Sequence, residues 1–529
     1  MNNKKLQVWF PVFFSLAMVI GMFFGYKLRD KMPYASNILR SSPGSQLQEV
    51  ISLIRNRYVD GVNTDSLSEQ AIEEVLTHLD PHTIYIPASR LMEVNEDLAG
   101  KFEGIGVEFN IFEDTVHVLN VLEGGPSDKA GLKVGDRIIK VEQQIVAGNA
   151  ITGDKIRSLL RGPGGSKVNI IIRRDTASLP FVITRGFIPL YSLDAAYMMS
   201  PGTGYIRLNK FSESTYEEFM ASLEKLKALG MKKLVLDLRD NGGGILDEAV
   251  EIADEFLDGE KLIVYTEGKN SPRRDYKARR KGLFEEGELI LLMNEGSASA
   301  SEVLAGALQD WDRATIIGRR SFGKGLVQEQ YTLRDGAALR LTVARYYTPL
   351  GRSIQKSYEK GLMDYNGEIL NRYQHGDLFS ADSNKVALGK AFTTNGGKTV
   401  YGGGGITPDV FVAFDSTSID TLITDLYRIN TIGKFVYRYY MSHLQEFNSY
   451  ETPEEFMQKF TVDNNLYQQF VAFSKQDSID ISNLSPKDRL FVEKRIKSLL
   501  ARQKWRTEGF YEVINASDPV ILKADTLLQ

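Results

Sequence analysis

Leu289-Ile-Leu-Leu-Met-Asn294-Glu-Gly-Ser-Ala-Ser-Ala-Ser-Glu302 decides how this chain is read. The apolar run from Leu289 has the length and composition of a buried strand, and Val303 to Leu308 continues as a helix, so the serines occupy a strand-to-helix turn. Ser299 then stands at a helix N-terminus, where the backbone dipole favours negative charge and suits an alkoxide nucleophile. The same residues also fit a capping box, with Ser299 as N-cap and Glu302 at N3. Local pattern leaves both readings open.

Working outward, Lys233-Leu-Val-Leu-Asp-Leu238 is a second apolar strand. It ends in Arg239-Asp-Asn-Gly-Gly-Gly-Ile245 before the helical stretch Leu246 to Phe256, so this part of the chain reads as α/β. Three glycines after a strand permit close backbone approach, and such a loop either presents N–H groups to a developing oxyanion or is a tight turn. Downstream, Phe322-Gly-Lys-Gly-Leu-Val-Gln328 places Lys324 between glycines, just before a strand-like run. A lysine serves as a base only when burial and neighbours lower its pKa from about 10.4. Gln328, four residues on, can hydrogen-bond the amine without adding a charge that would hold the proton on it. The competing reading is a phosphate-binding loop over 318–325, which nearly matches GxxxxGK[ST]; Gly325 stands where the magnesium-binding hydroxyl belongs, and a strand replaces the expected helix.

Composition narrows the catalytic apparatus. The chain has no cysteine, which excludes a thiol nucleophile, a disulfide and a Cys-ligated metal. Its five histidines are scattered and none has metalloprotease spacing, so neither a metal nor a cofactor is expected. His82 beside Asp80 in His78-Leu-Asp-Pro-His82 reads as a turn with a capping Asp. The net charge of -4 gives no reason to expect nucleic acid. At 529 residues the chain suggests about three domains.

Five segments are expected. Residues 1–31 hold an apolar run, Val8 to Tyr26, between Lys4-Lys5 and Lys27, Arg29 and Lys31, and read as a transmembrane anchor or signal-anchor. Basic residues on both flanks leave the orientation open, and the absence of cysteine suits an oxidising space outside the cytoplasm. Residues 42–98 have helical periodicity, with Leu47, Val50, Ile51, Ile54 and Tyr58 as one stripe. Residues 99–186 turn to strands and Gly-rich turns, and Ala130-Gly-Leu with Gly135-Asp-Arg-Ile138 resembles a PDZ domain. In such a module Gly104-Ile105-Gly106 aims N–H groups at a peptide carboxylate, the strand edge takes the peptide as an extra strand, and Ile105 and Val107 lie near the side-chain pocket. Arg161, in a glycine-rich turn, is a candidate substrate sensor or a domain contact, with plain solvent exposure as the alternative. Residues 187–414 form the catalytic core, with a polar insertion over 356–398. Residues 415–529 are an aromatic-rich helical extension whose faces suit packing on the core or on another subunit.

From about Leu47 to Val412 the chain resembles the carboxyl-terminal processing, or tail-specific, serine peptidases. The resemblance rests on His78-Leu-Asp-Pro-His82, the PDZ segment, Asp237-Leu-Arg-Asp-Asn-Gly-Gly243, Ser297 to Glu302, Gly306-Ala-Leu-Gln-Asp310 and Phe322-Gly-Lys-Gly325 with Val327-Gln328. It implies a crotonase-like α/β core with an inserted PDZ domain, and it implies Ser299 as nucleophile with Lys324 and Gln328 as partners. Ser297 and Ser301 are the local alternatives. The backbone amides of Gly243 and Ala300 are the implied oxyanion hole. The expected activity is endopeptidase cleavage of proteins with accessible C-terminal tails through a Ser-Lys acyl-enzyme. The expected location is the inner membrane of a bacterium, single-pass, with the catalytic part in the periplasm or another extracytoplasmic space. A homo-oligomer or an activator are further expected partners. The competing classes are an idle PDZ scaffold at the membrane and the nucleotide-binding protein.

Overall fold

Alternation along two strands decides which way the core faces. Leu234 and Leu236, then Leu289, Leu291 and Met293, pack with one hydrophobic core, while Val235, Ile290 and Leu292 between them pack with another. A strand buried on both faces reads as a continuous apolar run, which explains the two runs seen in the sequence. The computed structural model describes residues 14–23, 45–380, 389–414 and 420–529. Its central sheet has the order Leu193–Ser200, Thr203–Leu208, Lys233–Asp237, Glu288–Met293, Thr315–Gly318 and Val410–Phe411. The first pair is antiparallel and the others are parallel.

One face of this sheet is covered by the helices Thr215–Ala228, Leu246–Asp254 and Ala300–Asp310. The other is covered by the last helix, Pro519–Leu528, through Val520, Ile521, Ala524 and Leu528. Asp237 at the end of its strand is fully buried; against the cost of that burial, Arg239 and Arg207 hold its carboxyl well below the usual range. Arg239 reaches on to Asp518, the N-cap of the last helix, at 2.7 Å. The chain's end is thereby tied to the loop that follows the central strand. At the far end of the Ala300–Asp310 helix, Asp310 pairs with the buried Arg352 at 2.5 Å.

A second sheet is centred on Ala338–Tyr347. Leu326–Thr332 pairs antiparallel with it, as do Ile84–Ile86 and Leu262–Gly268. The PDZ module has its own core and a sheet running Val107–Phe112, Thr115–Val121, Arg137–Val141, Lys167–Arg174, Ala177–Thr184, with Val107–Phe112 at one edge. A two-stranded ribbon, Lys101–Gly104 against Gly186–Pro189, carries the chain into and out of this module. Residues 420–529 build an aromatic core around Phe435, Phe447, Phe456 and Phe470, and the extension packs on the catalytic core.

Two expectations change, and the expected anchor lies largely outside the described residues. The helical region 42–98 is divided, because the described residues part into two units between His78 and Leu79. In the first, the helices Ser45–Arg57 and Thr64–Thr77 leave Leu47, Val50 and Tyr58 exposed. Ala88–Ala99 belongs to the second unit. Of the expected anchor, residues 14–23 are described, and they are helical. Residues 1–13 and 24–31 lie outside the described residues. Among the described residues no helix is long and apolar enough to cross a membrane. Finally, the polar insertion is part of the packed body: its helix Leu362–Gln374 buries Tyr365 and Arg372, and Arg372 donates to the carbonyls of Arg320 and Ser321 at 2.8 and 3.2 Å.

Candidate active site

Three serines compete in the turn after Glu288–Met293, and their surroundings separate them. The Ser297 hydroxyl is fully buried and donates to the Leu238 carbonyl at 2.8 Å. That of Ser301 is equally buried and donates to the Asn241 carbonyl at 2.9 Å. Both staple the serine turn to the loop after Lys233–Asp237. Ser299 lies between them with φ 56° and ψ -115°, a strained position that turns its side chain into a cavity of about 700 Å³. Strain at a strand-to-helix turn is a known way of presenting a nucleophile, because the sharp turn lifts the hydroxyl clear of the helix.

Lys324, Gln328 and Tyr346 line the same cavity. The Lys324 amine donates to Gln328 Oε1 at 3.0 Å. Burial, then the nearby Arg340, pull that amine below its ordinary value, while Glu302 and Asp80 work in the opposite direction. Gln328 is itself held from behind, because its Nε2 donates to the His82 carbonyl. Asp80 shapes the His82 turn by accepting from the N–H groups of His82 and Thr83 at 2.9 and 3.0 Å, which is the capping turn expected from the sequence. Burial and then Lys324 push the His82 imidazole down to about 4, so the ring is neutral near pH 7 and accompanies the lysine without adding charge. Lys324 is followed by a strand, Leu326–Thr332, and not by the helix that a phosphate-binding loop requires.

Glu302 joins the two halves of the site. Its carboxylate is fully buried and accepts four hydrogen bonds: from Ser299 N–H at 2.9 Å, Ser321 Oγ at 2.5 Å, Gly323 N–H at 2.7 Å and Lys324 N–H at 2.8 Å. Burial pushes its carboxyl up to about 7 against the pull of those donors. The capping-box pattern predicted the first bond. The other three come from a loop about twenty residues away, and no local signal marks them.

The glycine loop lies against the serine. A side chain at Gly243 would meet the Ala298 carbonyl at 2.6 Å and Ser299 Cβ at 2.7 Å, and the φ of Gly243 is +94°, so only glycine fits. Its N–H, however, already donates to Asn241 Oδ1 at 2.9 Å, and an oxyanion competes with Asn241 for it. Ala300 opens its helix, where an N–H has no acceptor within the helix. Of the PDZ positions, Val107 lines a second and larger cavity. Ile105 is buried in the PDZ core, Gly104 pairs with Gly186, and the Gly106 carbonyl accepts from Leu122. Arg161 is bound to Glu96 at 3.0 Å and stacks on Phe102, so it joins the PDZ module to the Ala88–Ala99 helix.

A hydroxyl at a strained turn, a half-buried amine of lowered basicity and a neutral amide orienting it form a set suited to acyl transfer. Comparison with known proteins agrees with that class. Family models match peptidase family S41 over residues 202–362, a PDZ domain over 117–174 and a family of unknown function (DUF8443) over 422–506. The carboxy-terminal-processing protease of Bartonella bacilliformis is 36% identical over 313 residues, which is 58% of this chain and 71% of that one. The "Probable CtpA-like serine protease" of Staphylococcus aureus (strain MRSA252) is 34% identical over 312 residues, 59% of this chain and 62% of its own. Among solved structures, the photosystem II D1 C-terminal processing protease aligns over 72% of this chain and 96% of its own at 27% identity, with a TM-score of 0.36. The chain belongs to peptidase family S41, in its PDZ-containing carboxy-terminal-processing branch.

Gln328→Glu tests the role of the orienting amide. A carboxylate 3.0 Å from the amine favours the ammonium form. The acid limb of the pH–rate profile is expected to move up by about 1–3 units, with turnover at neutral pH lowered about tenfold or more. A limb that stays in place would remove Lys324 from the role of base.

Proposed function

We propose that this protein is a membrane-anchored serine endopeptidase that captures the C-terminal tail of a protein in its PDZ module and cleaves it through a Ser299–Lys324 dyad. The observation that carries the reading is the Lys324 amine, half-buried, lowered in basicity and held by Gln328 at 3.0 Å in the cavity that Ser299 enters. In the neutral form Lys324 accepts the Ser299 proton as Oγ attacks the scissile carbonyl carbon. The Ala300 N–H and the glycine loop 242–244 hold the oxyanion. The ammonium returns its proton to the departing amine, and a water, deprotonated by the same lysine, then releases the acyl group. Leu246, Val303, Leu326 and Val327 line the cavity and favour an apolar side chain beside the scissile bond. The apolar run Val8 to Tyr26 with its basic flanks supports an anchor, and the absence of cysteine suits a catalytic part outside the cytoplasm.

The test is mass-spectrometric mapping of cleavage in a folded protein carrying an unstructured apolar C-terminal tail, beside the same protein without the tail. Cleavage confined to the tailed form is expected. Equal cleavage of both forms would remove PDZ capture from the mechanism, and cleavage of neither would favour a non-catalytic scaffold.

A further inference from the structure

A cavity of about 900 Å³, larger than the one that holds Ser299, lies beside it. Its inner wall is the PDZ edge strand Val107–Phe112, which pairs within its sheet on one side only, and Arg157 of the Gly153–Leu160 helix. Its outer wall belongs to the C-terminal helical domain. Asp97, Asn209 and Lys210 line both this cavity and the active-site cavity, so the two adjoin. An extended peptide added to the strand edge therefore lies beneath the helical domain on its way to Ser299.

Three features show that this wall is built against the PDZ strand. The Tyr437 ring lies 5.3 Å from Phe112 and 5.7 Å from His117. Arg438 pairs with Glu113. The helix Pro486–Asn515 breaks at Trp505 and Arg506, where Arg506 takes φ 57° and ψ -148°, and Arg506 then pairs with Glu108 at 2.8 Å. Sharp kinks have local causes, and here a strained arginine sits where the helix meets the strand.

Charge in the cavity is unbalanced. Its acidic residues are engaged: Asp97 with Lys210 at 2.9 Å, Glu108 with Arg506, and Asp194 with Asn209 at 2.8 Å. Arg157 has Asp154. Arg495 and Arg502 have no carboxylate partner among the described residues, and Nε of Arg495 is buried without an acceptor. Arg495 is held in place by the rings of Tyr427 and Phe510, at 5.4 and 4.9 Å. On one helix face, seven residues at 1.5 Å each separate the two by about 10 Å, roughly three residues of extended peptide.

We propose that the C-terminal helical domain is the second wall of the substrate groove, and that Arg495 and Arg502 bind acidic side chains about two to four residues apart in the tail. This inference rests on the proposed capture of tails by the PDZ module. It makes the protein selective for tails with acidic residues upstream of the terminus.

The experiment is fluorescence anisotropy of labelled tail peptides on the full chain carrying Ser299→Ala, so that nothing is cleaved. Peptides bearing two Glu are compared with the same peptides bearing Gln, each with a free or an amidated C-terminus. The Glu peptide is expected to bind about tenfold more tightly at low salt, with the advantage shrinking as ionic strength rises. Arg495→Gln with Arg502→Gln is expected to abolish the advantage, while Lys at both positions keeps most of it. Amidation is expected to weaken both peptides by the same factor. A Glu advantage that disappears on amidation would mean that the arginines read the terminal carboxylate, and it would overturn the proposal. Equal binding of Glu and Gln peptides would also overturn it while leaving tail capture intact. Binding of neither would remove tail capture itself, and this inference with it.

Discussion

Ser299→Ala and Lys324→Ala are each expected to lower tail cleavage by at least about 10⁴-fold, with the double variant no worse than either single one. The non-additivity follows from shared work: without the hydroxyl there is nothing to deprotonate, and without the amine the hydroxyl keeps its proton. Lys324→Arg separates a base from a mere cation. A guanidinium retains the charge and cannot give up its proton in a protein, so this variant is expected to be as inactive as the alanine form. Retained turnover in Lys324→Arg would show that the lysine acts through its charge, and retained turnover in Ser299→Ala would move the nucleophile elsewhere. Because burial and Arg340 depress the Lys324 amine, activity is expected to rise with pH through a value below the ordinary 10.5 of lysine. Single-turnover kinetics across the alkaline range measure that limb.

Glu302→Ala is expected to destabilise the fold by about 3–5 kcal/mol and to lower turnover by at least about 10²-fold. The substitution leaves three backbone N–H groups and the Ser321 hydroxyl without their acceptor in a fully buried site. The same carboxylate fixes the backbone of Ser299 and that of Lys324, so its loss frees the nucleophile and the base to move apart. Glu302→Gln keeps the volume and tests the charge. With the carboxyl raised from 4.5 to about 7, the native state holds a proton that the unfolded chain has lost, and stability falls as pH rises across that window. Urea denaturation at pH 5 and pH 8 should show this fall in the parent and a flatter dependence in Glu302→Gln. Glu302→Gln should also move the acid limb of activity to lower pH, since Glu302 supports the lysine's proton. A Glu302→Ala variant with parental stability and activity would reduce the residue to an ordinary helix cap.

Much of the fold was legible because burial imprints a period on each element. Leu289 to Met293 and Leu234 to Leu236 announced strands covered on both faces, and Gly135-Asp-Arg-Ile138 marked the β-module. The glycines around Lys324 and after Asn241 marked loops that approach another backbone closely. These are short-range signals, written within one turn or one strand.

Other parts of the site required the folded chain. Ser297, Ser299 and Ser301 are equivalent as a string, and only the Leu238 and Asn241 carbonyls occupy two of them and leave Ser299 open to the cavity. Gln328 is aimed by the His82 carbonyl, 246 residues away in sequence. Tyr365 and Arg372 looked like members of a polar insertion and are buried against the loop that carries Lys324. Residues 415–529 showed helical periodicity without a partner, and contacts of Tyr437, Arg438 and Arg506 with the PDZ strand supply one. Apolar periodicity is a property of one element and the water around it, so the amino-acid order determines it directly. A buried polar group must find its partner on whichever segment tertiary packing brings within about 3 Å, and that choice exists only once the whole chain has folded.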